Sequence, residues 1–474
     1  MRNPGPRAGG GRENRQVQVT LNPLMFRAYD IRGVVGTDLT PEVAGVLGQA
    51  YGTFIQQISG HRLATGRDNR DSSVGLQQGL NRGLTATGCE VVDIGLALSP
   101  MLYFAVAHWG LDGGVNITGS HNPIQYNGLK LVAQGALAIA EEQIQQVREI
   151  AESRSCRQGE GSVRERPVAQ EYADFMAGQG RLARPLRVVV DCGNGTASLF
   201  APQILERVGV QVIPLYCESD PTFPHHLPDP EMEANVADLK RVVIEEGADL
   251  GLAFDGDGDR LGVVDERGVH QEADRVLMLL ARDFLTRHPG ERVMMDVKCS
   301  ETLLEDIRRH GGVPFMWKTG HSLAKRKMRE EGILLAGEVS GHMFFGEGYY
   351  GFDDAVLAAI RLLLVVAKEN KPLSAHWADV PHSYATPELK APTPDDEKFA
   401  VVEEVARYFR ERYPTLDIDG VRVKFPQGWA LVRASNTNPY LTLRFEASSP
   451  QALEEMRKII YDKLSEYPAV TLPK

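Results

Sequence analysis

Val188-Val189-Val190-Asp191-Cys192-Gly193-Asn194-Gly195 decides how this chain is read: an apolar β-branched run breaks at an aspartate and a Gly/Asn turn, and a helical pattern follows through Thr196 and Ala197. β-Branched runs of this length favour strands, and Gly/Asn clusters favour tight turns. The same succession occurs at Leu63-Ala64-Thr65-Gly66-Arg67-Asp68, ahead of Ser72 and Ser73. It occurs again at Val293-Met294-Met295-Asp296-Val297-Lys298, ahead of Ser300 and Glu301. Strand, polar turn and helix recurring in this way predict three α/β domains of related build. Beyond Pro372, Pro381, Pro387, Pro392 and Pro394 the pattern changes to a helix over 396–412, then strands through Arg422, Leu431-Val432-Arg433 and Leu441-Thr442-Leu443-Arg444. That last unit reads as a smaller α+β domain.

A chain of 474 residues is too long for one core and divides into about three or four domains. Composition places the boundaries at a disordered tail 1–22, α/β units 23–162, 163–268 and 269–378, and the α+β unit 379–474. The polar, charged stretch Ser153 to Arg166 closes the first unit, and Glu266-Arg267-Gly268 closes the second. A net charge of −11 argues against nucleic acid or an anionic membrane surface as partner. No run approaches the ~18 apolar residues of a membrane span; Leu362-Leu363-Leu364-Val365-Val366-Ala367 reads as part of a buried helix. Five scattered cysteines (Cys89, Cys156, Cys192, Cys217 and Cys299) without CxxC spacing predict buried, reduced thiols in a cytoplasmic protein.

Two loops carry the chemistry. Thr118-Gly119-Ser120-His121-Asn122-Pro123, with Lys130 one loop away, puts a hydroxyl on a polar turn beside an imidazole and a cation. A serine hydroxyl is a weak nucleophile unless bases, cations or a metal assist it; taken by itself the hexapeptide is equally a turn or cap. The second loop, Asp255-Gly256-Asp257-Gly258-Asp259-Arg260, lies between the apolar runs Ala248–Phe254 and Leu261–Val264. Three carboxylates spaced by glycines repel unless a cation neutralises them, and a hydrated octahedral Mg²⁺ fits the set. An EF-hand loop would end on Glu266 but needs glycine where Arg260 stands. Asp191-Cys192-Gly193-Asn194-Gly195 lacks the third glycine of a dinucleotide fingerprint.

Four weaker constellations accompany them. Tyr29-Asp30-Ile31-Arg32-Gly33 offers a tyrosine and an arginine on a turn. Lys318-Thr319-Gly320-His321-Ser322 opens a basic helix, whose N-terminus attracts phosphate. Glu338 and Ser340, at i and i+2 of an extended loop, point the same way and suit adjacent sugar hydroxyls. Arg433-Ala434-Ser435-Asn436-Thr437-Asn438-Pro439, with no carboxylate in the turn, reads as an anion cradle.

In order and in kind these loops resemble the α-D-phosphohexomutase superfamily, in particular its bacterial phosphomannomutase/phosphoglucomutase branch, from about residue 24 to 470. The resemblance implies four domains around a central cleft, three sharing an α/β core and the fourth a phosphate-binding lid. It implies Ser120 as phosphoserine; Asp255, Asp257 and Asp259, with a phosphoserine oxygen, as the Mg²⁺ site; and Arg260, His121, Lys130, Tyr29 and Arg32 around the transferring phosphate. His321 would move the proton, and Glu338 and Ser340 would orient ring hydroxyls. Lys298, Arg433, Ser435, Asn436 and Thr437 would grip the other phosphate. The implied reaction interconverts hexose 1-phosphate and 6-phosphate, with glucose 1,6-bisphosphate or mannose 1,6-bisphosphate as intermediate and activator. Ile124-Gln125 departs from the branch's usual Pro-Asp, which predicts a small change in loop rigidity. Gly119 and Gly258 stand where phosphoglucosamine mutases usually carry alanine, which argues against that alternative. A metal-dependent sugar phosphatase is the rival outside the mutases. The partners expected are small sugar phosphates, on a monomer or homodimer.

Overall fold

In the computed structural model, which describes residues 20–436 and 438–473, the three strand–turn–helix runs take the same place in three separate sheets. In the first, Arg62–Arg67 lies between Glu90–Leu96 and Gly113–Ile117 and is parallel to both. In the second, Leu186–Asp191 lies between Val210–Leu215 and Leu250–Phe254, again parallel. In the third, Arg292–Asp296 lies between Val313–Trp317 and Leu335–Gly337. Parallel neighbours need crossovers, and helices supply them: Asp71–Thr85 and Ser99–His108, Ala201–Arg207 and Ala237–Glu246, Glu301–Arg309 and His321–Glu331.

Each sheet then turns back through an antiparallel hairpin. Gly113–Ile117 pairs with Tyr126–Ala133, Leu250–Phe254 with Leu261–Asp265, and Leu335–Gly337 with Met343–Phe345. A further antiparallel strand follows outward in each: Ile31–Val34, His270–Gln271 and Phe352–Asp353. Three domains of one topology are thereby joined to a fourth of another kind. The last sheet is antiparallel in every pairing, built on Gly428–Ala434 and Tyr440–Ala447. The helices Lys398–Arg410 and Pro450–Leu464 cover it through Val405, Phe409, Met456 and Ile460.

Two expected boundaries cut through sheets. Ser162–Glu165 pairs with Glu90–Leu96 and closes the first sheet, so a division at 162/163 falls inside it. All four of its residues are exposed, and an edge strand of that kind shows no apolar pattern in sequence. Likewise His270–Gln271 belongs to the second sheet, beyond the expected limit at 268. Residues 1–19 of the expected tail lie outside the described residues; Leu21 packs on the first core and Asn22 donates to Asp38 at 2.9 Å, so both belong to the first domain.

The largest core runs through three domains without a break. Met101, Leu102 and Phe104 of the helix Ser99–His108 join Val188, Leu252 and Val263 of the second sheet and Leu357, Ile360 and Leu363 of the helix Ala355–Ala367. That last helix is apolar on nearly every side because it is enclosed on nearly every side. Val297, Trp429 and Leu431 make a smaller apolar bridge to the fourth domain. Among the described residues no helix is long and apolar enough to cross a membrane. All five cysteines are free thiols, but Cys156 and Cys217 are only partly buried.

The helix Asp71–Thr85 carries glycines at 75, 79 and 83, spaced to share one face. A Cβ at Gly79 or Gly83 would strike the carbonyl of Pro41 or Gly45 on the helix Pro41–Gln57. The two backbones therefore touch, which sets how closely the helix Asp71–Thr85 packs on Pro41–Gln57. Gly83→Ala is expected to destabilise the protein by about 1–3 kcal/mol through overpacking, read as a lower midpoint in thermal unfolding.

Candidate active site

The first two functional loops are the hairpin turns of the first two sheets, and they meet. The serine loop spans the turn between Gly113–Ile117 and Tyr126–Ala133. Ser120 sits at a left-handed φ of 49°, an unusual conformation for a residue with a Cβ. Its amide donates to Thr118 Oγ1 at 2.8 Å, and the Gly119 amide donates to Asp68 Oδ2 at 2.9 Å. Arg70, buried, closes the turn: its guanidinium donates to the carbonyls of Ser120, Asn122, Pro123 and Tyr126 at 2.6–3.2 Å. The turn stays tied at Ile124-Gln125 as well, since the Val35 amide bonds the Gln125 carbonyl at 2.9 Å. A Cβ on Gly119 would lie 2.5 Å from the Arg70 guanidinium.

The acidic loop connects Leu250–Phe254 to Leu261–Asp265, strands as expected. A Cβ on Gly256 would collide with the Ser120 carbonyl, so glycine here lets the loops of two domains close on each other. Ser120 Oγ donates to Asp255 Oδ2 at 2.8 Å and lies 3.1 Å from His121 Nδ1. Lys130 Nζ reaches Asp257 at 2.7 Å and Asp259 at 2.5 Å. Ser99, at the head of its helix, donates to Asp257 Oδ2 at 2.6 Å.

Electrostatics define what this centre can hold. Burial, with Asp259 and Asp257 beside it, pushes the Asp255 carboxyl well above the usual carboxylate range. Burial alone would lower the Lys130 ammonium, but Asp257 and Asp259 hold it well above the usual lysine value. Lys130 thus supplies one positive charge against three carboxylates. Asp257 Oδ1 and Asp259 Oδ1 are buried without a hydrogen-bond partner, and the trio's oxygens converge within 4.8 Å of one another. Hard oxygen donors with open lone pairs and surplus negative charge fit a divalent cation such as Mg²⁺. Burial, then Arg260 and Arg32, hold His121 well below the usual histidine value, so its imidazole is neutral beside Ser120.

The third hairpin turn faces the same centre. Glu338 and Ser340 lie on a tight turn, not the extended loop expected: the Glu338 amide bonds the His342 carbonyl and the Gly341 amide bonds Glu338, at 2.9 and 3.0 Å. Hairpin closure brings the two side chains together, with Ser340 Oγ donating to Glu338 Oε2 at 3.2 Å. Glu338 also accepts from the Gly320 amide at 3.0 Å, which ties this turn to the helix that begins at His321. Burial, then Lys325, hold His321 well below the usual value. His342 stacks on His321 with ring centres 5.4 Å apart; its Nε2 accepts from Arg260 Nε at 3.0 Å and its Nδ1 lies 2.8 Å from Asp353.

The fourth domain contributes Arg433 at the end of the strand Gly428–Ala434, with Ser435 and Asn436 following. Thr437 lies outside the described residues. The expectation of an uncancelled arginine fails: Asp419, fourteen residues earlier, pairs with Arg433 Nε at 2.9 Å. The carboxylate comes from a neighbouring loop, which inspection of the turn alone does not reveal. Lys298 pairs with Glu388 at 3.0 Å. Tyr29 donates to the Thr319 carbonyl at 3.2 Å and accepts from Asn436 Nδ2, so it links three domains. Arg32 Nε pairs with Asp30 at 2.6 Å.

Sequence reading missed Arg70, Asp68, Ser99, His342, Asp353, Asp419 and Glu388. Arg70 and Asp68 stood in plain view in the first strand–turn–helix run, whose equivalents end on Asp191 and Asp296; the shared aspartate was the available signal. The others are single polar residues, and only folding gives them partners.

A buried serine hydroxyl on a carboxylate trio, facing walls of arginine, lysine and histidine, defines a phosphoryl-transferring enzyme. Four family profiles match the chain in order. They are phosphoglucomutase/phosphomannomutase alpha/beta/alpha domain I over 23–158, domain II over 170–268, domain III over 272–384, and the C-terminal domain over 388–463. A phosphomannomutase/phosphoglucomutase of Pseudomonas aeruginosa is 46% identical over 448 residues, covering 94% of this chain and 96% of that protein. A phosphoglucomutase of Neisseria gonorrhoeae is 42% identical over 438 residues, covering 91% and 95%. A crystal structure of a phosphoglucomutase/phosphomannomutase family protein from Burkholderia thailandensis superposes with a TM-score of 0.90 at 39% identity, covering 96% of this chain and all of that one. The chain belongs to the phosphoglucomutase/phosphomannomutase family, whose members are metal-dependent mutases.

Arg70→Lys is expected to slow turnover at least about tenfold, because three ammonium donors cannot replace a planar fork holding four carbonyls. Retention of full activity would show that the guanidinium does not shape the serine loop.

Proposed function

We propose that the protein is a phosphohexomutase interconverting hexose 1-phosphate and hexose 6-phosphate, with glucose, mannose or both as the sugar. The transfer runs through phosphorylated Ser120 and a bound hexose 1,6-bisphosphate. One observation carries the reading: the Ser120 hydroxyl lies 2.8 Å from Asp255 inside a trio with two unpartnered carboxylate oxygens. A hydroxyl so placed can exchange a phosphoryl group next to a cation, and Asp255, Asp257 and Asp259, with an oxygen of phosphorylated Ser120, would hold Mg²⁺. When bound, the cation neutralises charge and polarises a phosphoryl oxygen.

This chain's residues supply the rest. Transfer breaks the bond between phosphorus and Ser120 Oγ and forms one to the sugar oxygen, whose proton passes to a neighbouring base. His321 is held neutral and can accept it, and His342, 2.8 Å from Asp353 and bonded by Arg260, backs its ring by stacking on it. Arg260, Lys130, His121, Arg32 and Tyr29 surround the transferring group and offset its charge. Glu338 and Ser340, already bonded to each other, present acceptor and hydroxyl to the ring. Lys298, Arg433, Ser435 and Asn436, with Thr437, bind the second phosphate.

The alanines usual in phosphoglucosamine mutases meet resistance here. A Cβ at Gly119 would enter the Arg70 guanidinium, and one at Gly258, at φ 72°, would lie 2.9 Å from Leu98. That supports the hexose reading. Free thiols throughout support a reducing, cytoplasmic setting.

Two measurements test the reading. Ser120→Ala is expected to lower multiple-turnover isomerisation at least about 100-fold, assayed with both hexose 1-phosphates primed by glucose 1,6-bisphosphate. Inorganic phosphate released in place of the isomer would make the protein a phosphatase instead. Chelation with EDTA is expected to abolish activity and added Mg²⁺ to restore it; activity indifferent to chelator would remove the acidic loop from the mechanism.

A further inference from the structure

Three cations that line the cleft each meet a carboxylate. Arg260 Nη1 lies 3.4 Å from Glu231, Lys298 Nζ 3.0 Å from Glu388, and Arg433 Nε 2.9 Å from Asp419. A cation this deep needs a counter-charge at all times, and a substrate phosphate supplies one only while it is bound. The carboxylates supply that counter-charge here.

The three partners are not equivalent. Asp419 is anchored twice, since the Thr319 amide donates to the same oxygen at 3.0 Å. Glu231 stands at the longest of the three separations. Glu388, like Glu231, has one carboxylate hydrogen-bond donor among the described residues, here Lys298, and it holds its cation more closely than Glu231 does. The lysine side chain is 5% exposed and the glutamate 20%, so the cation is fixed in the wall and the carboxylate is the partner that an incoming ligand can reach. Asp296, 3.8 Å from the same ammonium, is held by Thr319 Oγ1 at 3.1 Å and cannot swing away with it. Glu388 also rides on a different domain from Lys298. It directly precedes the strand Leu389–Pro392 of the fourth sheet, whereas Lys298 follows Arg292–Asp296 of the third. Burial raises the Glu388 carboxyl, but Lys298 pulls it below the usual carboxylate range, so both partners stay charged.

Building on the bisphosphate exchange put forward above, we propose that Glu388 is a positioning residue that competes with the substrate's distal phosphate for Lys298. A mutase has to bind each end of its intermediate in the same cradle in turn, so the cradle must release as readily as it grips. Uniformly tighter binding lowers KM without helping turnover. A charged side chain that takes the lysine back as the phosphate departs lowers the cost of release, because the buried ammonium regains a close partner beyond the more distant Asp296. It also ties the third domain to the fourth between visits of the ligand.

Glu388→Gln keeps the shape and removes the charge. Calorimetric titration with glucose 6-phosphate and with inorganic phosphate is expected to show affinity rising about threefold to tenfold, the scale of one partly exposed charge pair. Steady-state kinetics are expected to show KM and kcat falling together. Glu388→Asp, which keeps the charge, is expected to lie between that variant and the unaltered protein. A merely structural glutamate predicts the reverse, with both variants binding phosphate more weakly. Unchanged or weakened affinity in a Glu388→Gln protein that melts normally would overturn the proposal. Should that variant melt early, Glu388→Ala is read in the same titration against the same criterion. The titrations need no turnover, so a protein that formed no isomer would sink the mutase reading and still leave Glu388 to be judged.

Discussion

The approach of Gly256 to the Ser120 carbonyl is the contact on which the rest of the site depends. It brings a loop of the second domain against a loop of the first and leaves the serine hydroxyl on Asp255. Neither loop has a chemistry of its own. An isolated serine turn is a weak nucleophile, and an isolated acidic turn is a cluster of repelling charges. Together they form a buried centre in which hydroxyl, carboxylates and the Lys130 ammonium share a few ångströms. The shared core beneath them, running from the helix Ser99–His108 through the second sheet to Ala355–Ala367, holds the two domains at that distance.

Repeated topology explains how three domains come to face one point. In each, the functional loop is the turn between the third strand of a parallel trio and the antiparallel strand that follows: Ser120 in the first, Asp255 to Asp259 in the second, Glu338 to His342 in the third. The turn after the central strand recurs as well, carrying Asp68 and Arg70, then Asp191, then Asp296 and Lys298. One scaffold thus presents a serine hydroxyl, a carboxylate trio and a glutamate–serine pair by changing the residues of a single turn, while the sheets supply position.

Cations of the cleft are paired locally. Lys130 sits among Asp257 and Asp259, Lys325 on Asp353, Arg70 beside Asp68, and Arg433 on Asp419. Buried ions left unpaired cost several kcal/mol each, so a centre built to handle phosphate dianions must carry its own counter-ions when it is empty. Protonation states follow from the same surroundings: burial and neighbouring cations keep His121 and His321 neutral, and the paired aspartates keep Lys130 charged.

By itself the sequence determined the elements and the chemistry. Apolar β-branched runs ending on Asp and Gly set the strands and turns, and the alternation of aspartate and glycine from 255 to 259 pointed to a hard cation, because propensity and charge repulsion act between near neighbours. It also made the fourth domain distinct, through its prolines and alternating strands. Only the tertiary structure decided which distant groups meet. Arg70 closing the serine turn, His342 against Arg260 and Asp353, Asp419 cancelling Arg433 and Glu388 on Lys298 are all pairs made by tertiary folding, and two of them, His342 with Arg260 and Glu388 with Lys298, cross from one domain to another. The polar edge strand Ser162–Glu165 escaped notice for the same reason: hydrogen bonds to a neighbouring strand, rather than any pattern of its own, make it a strand. A contact between residues a hundred positions apart carries no local trace, since its energy arises only once the chain between them has folded.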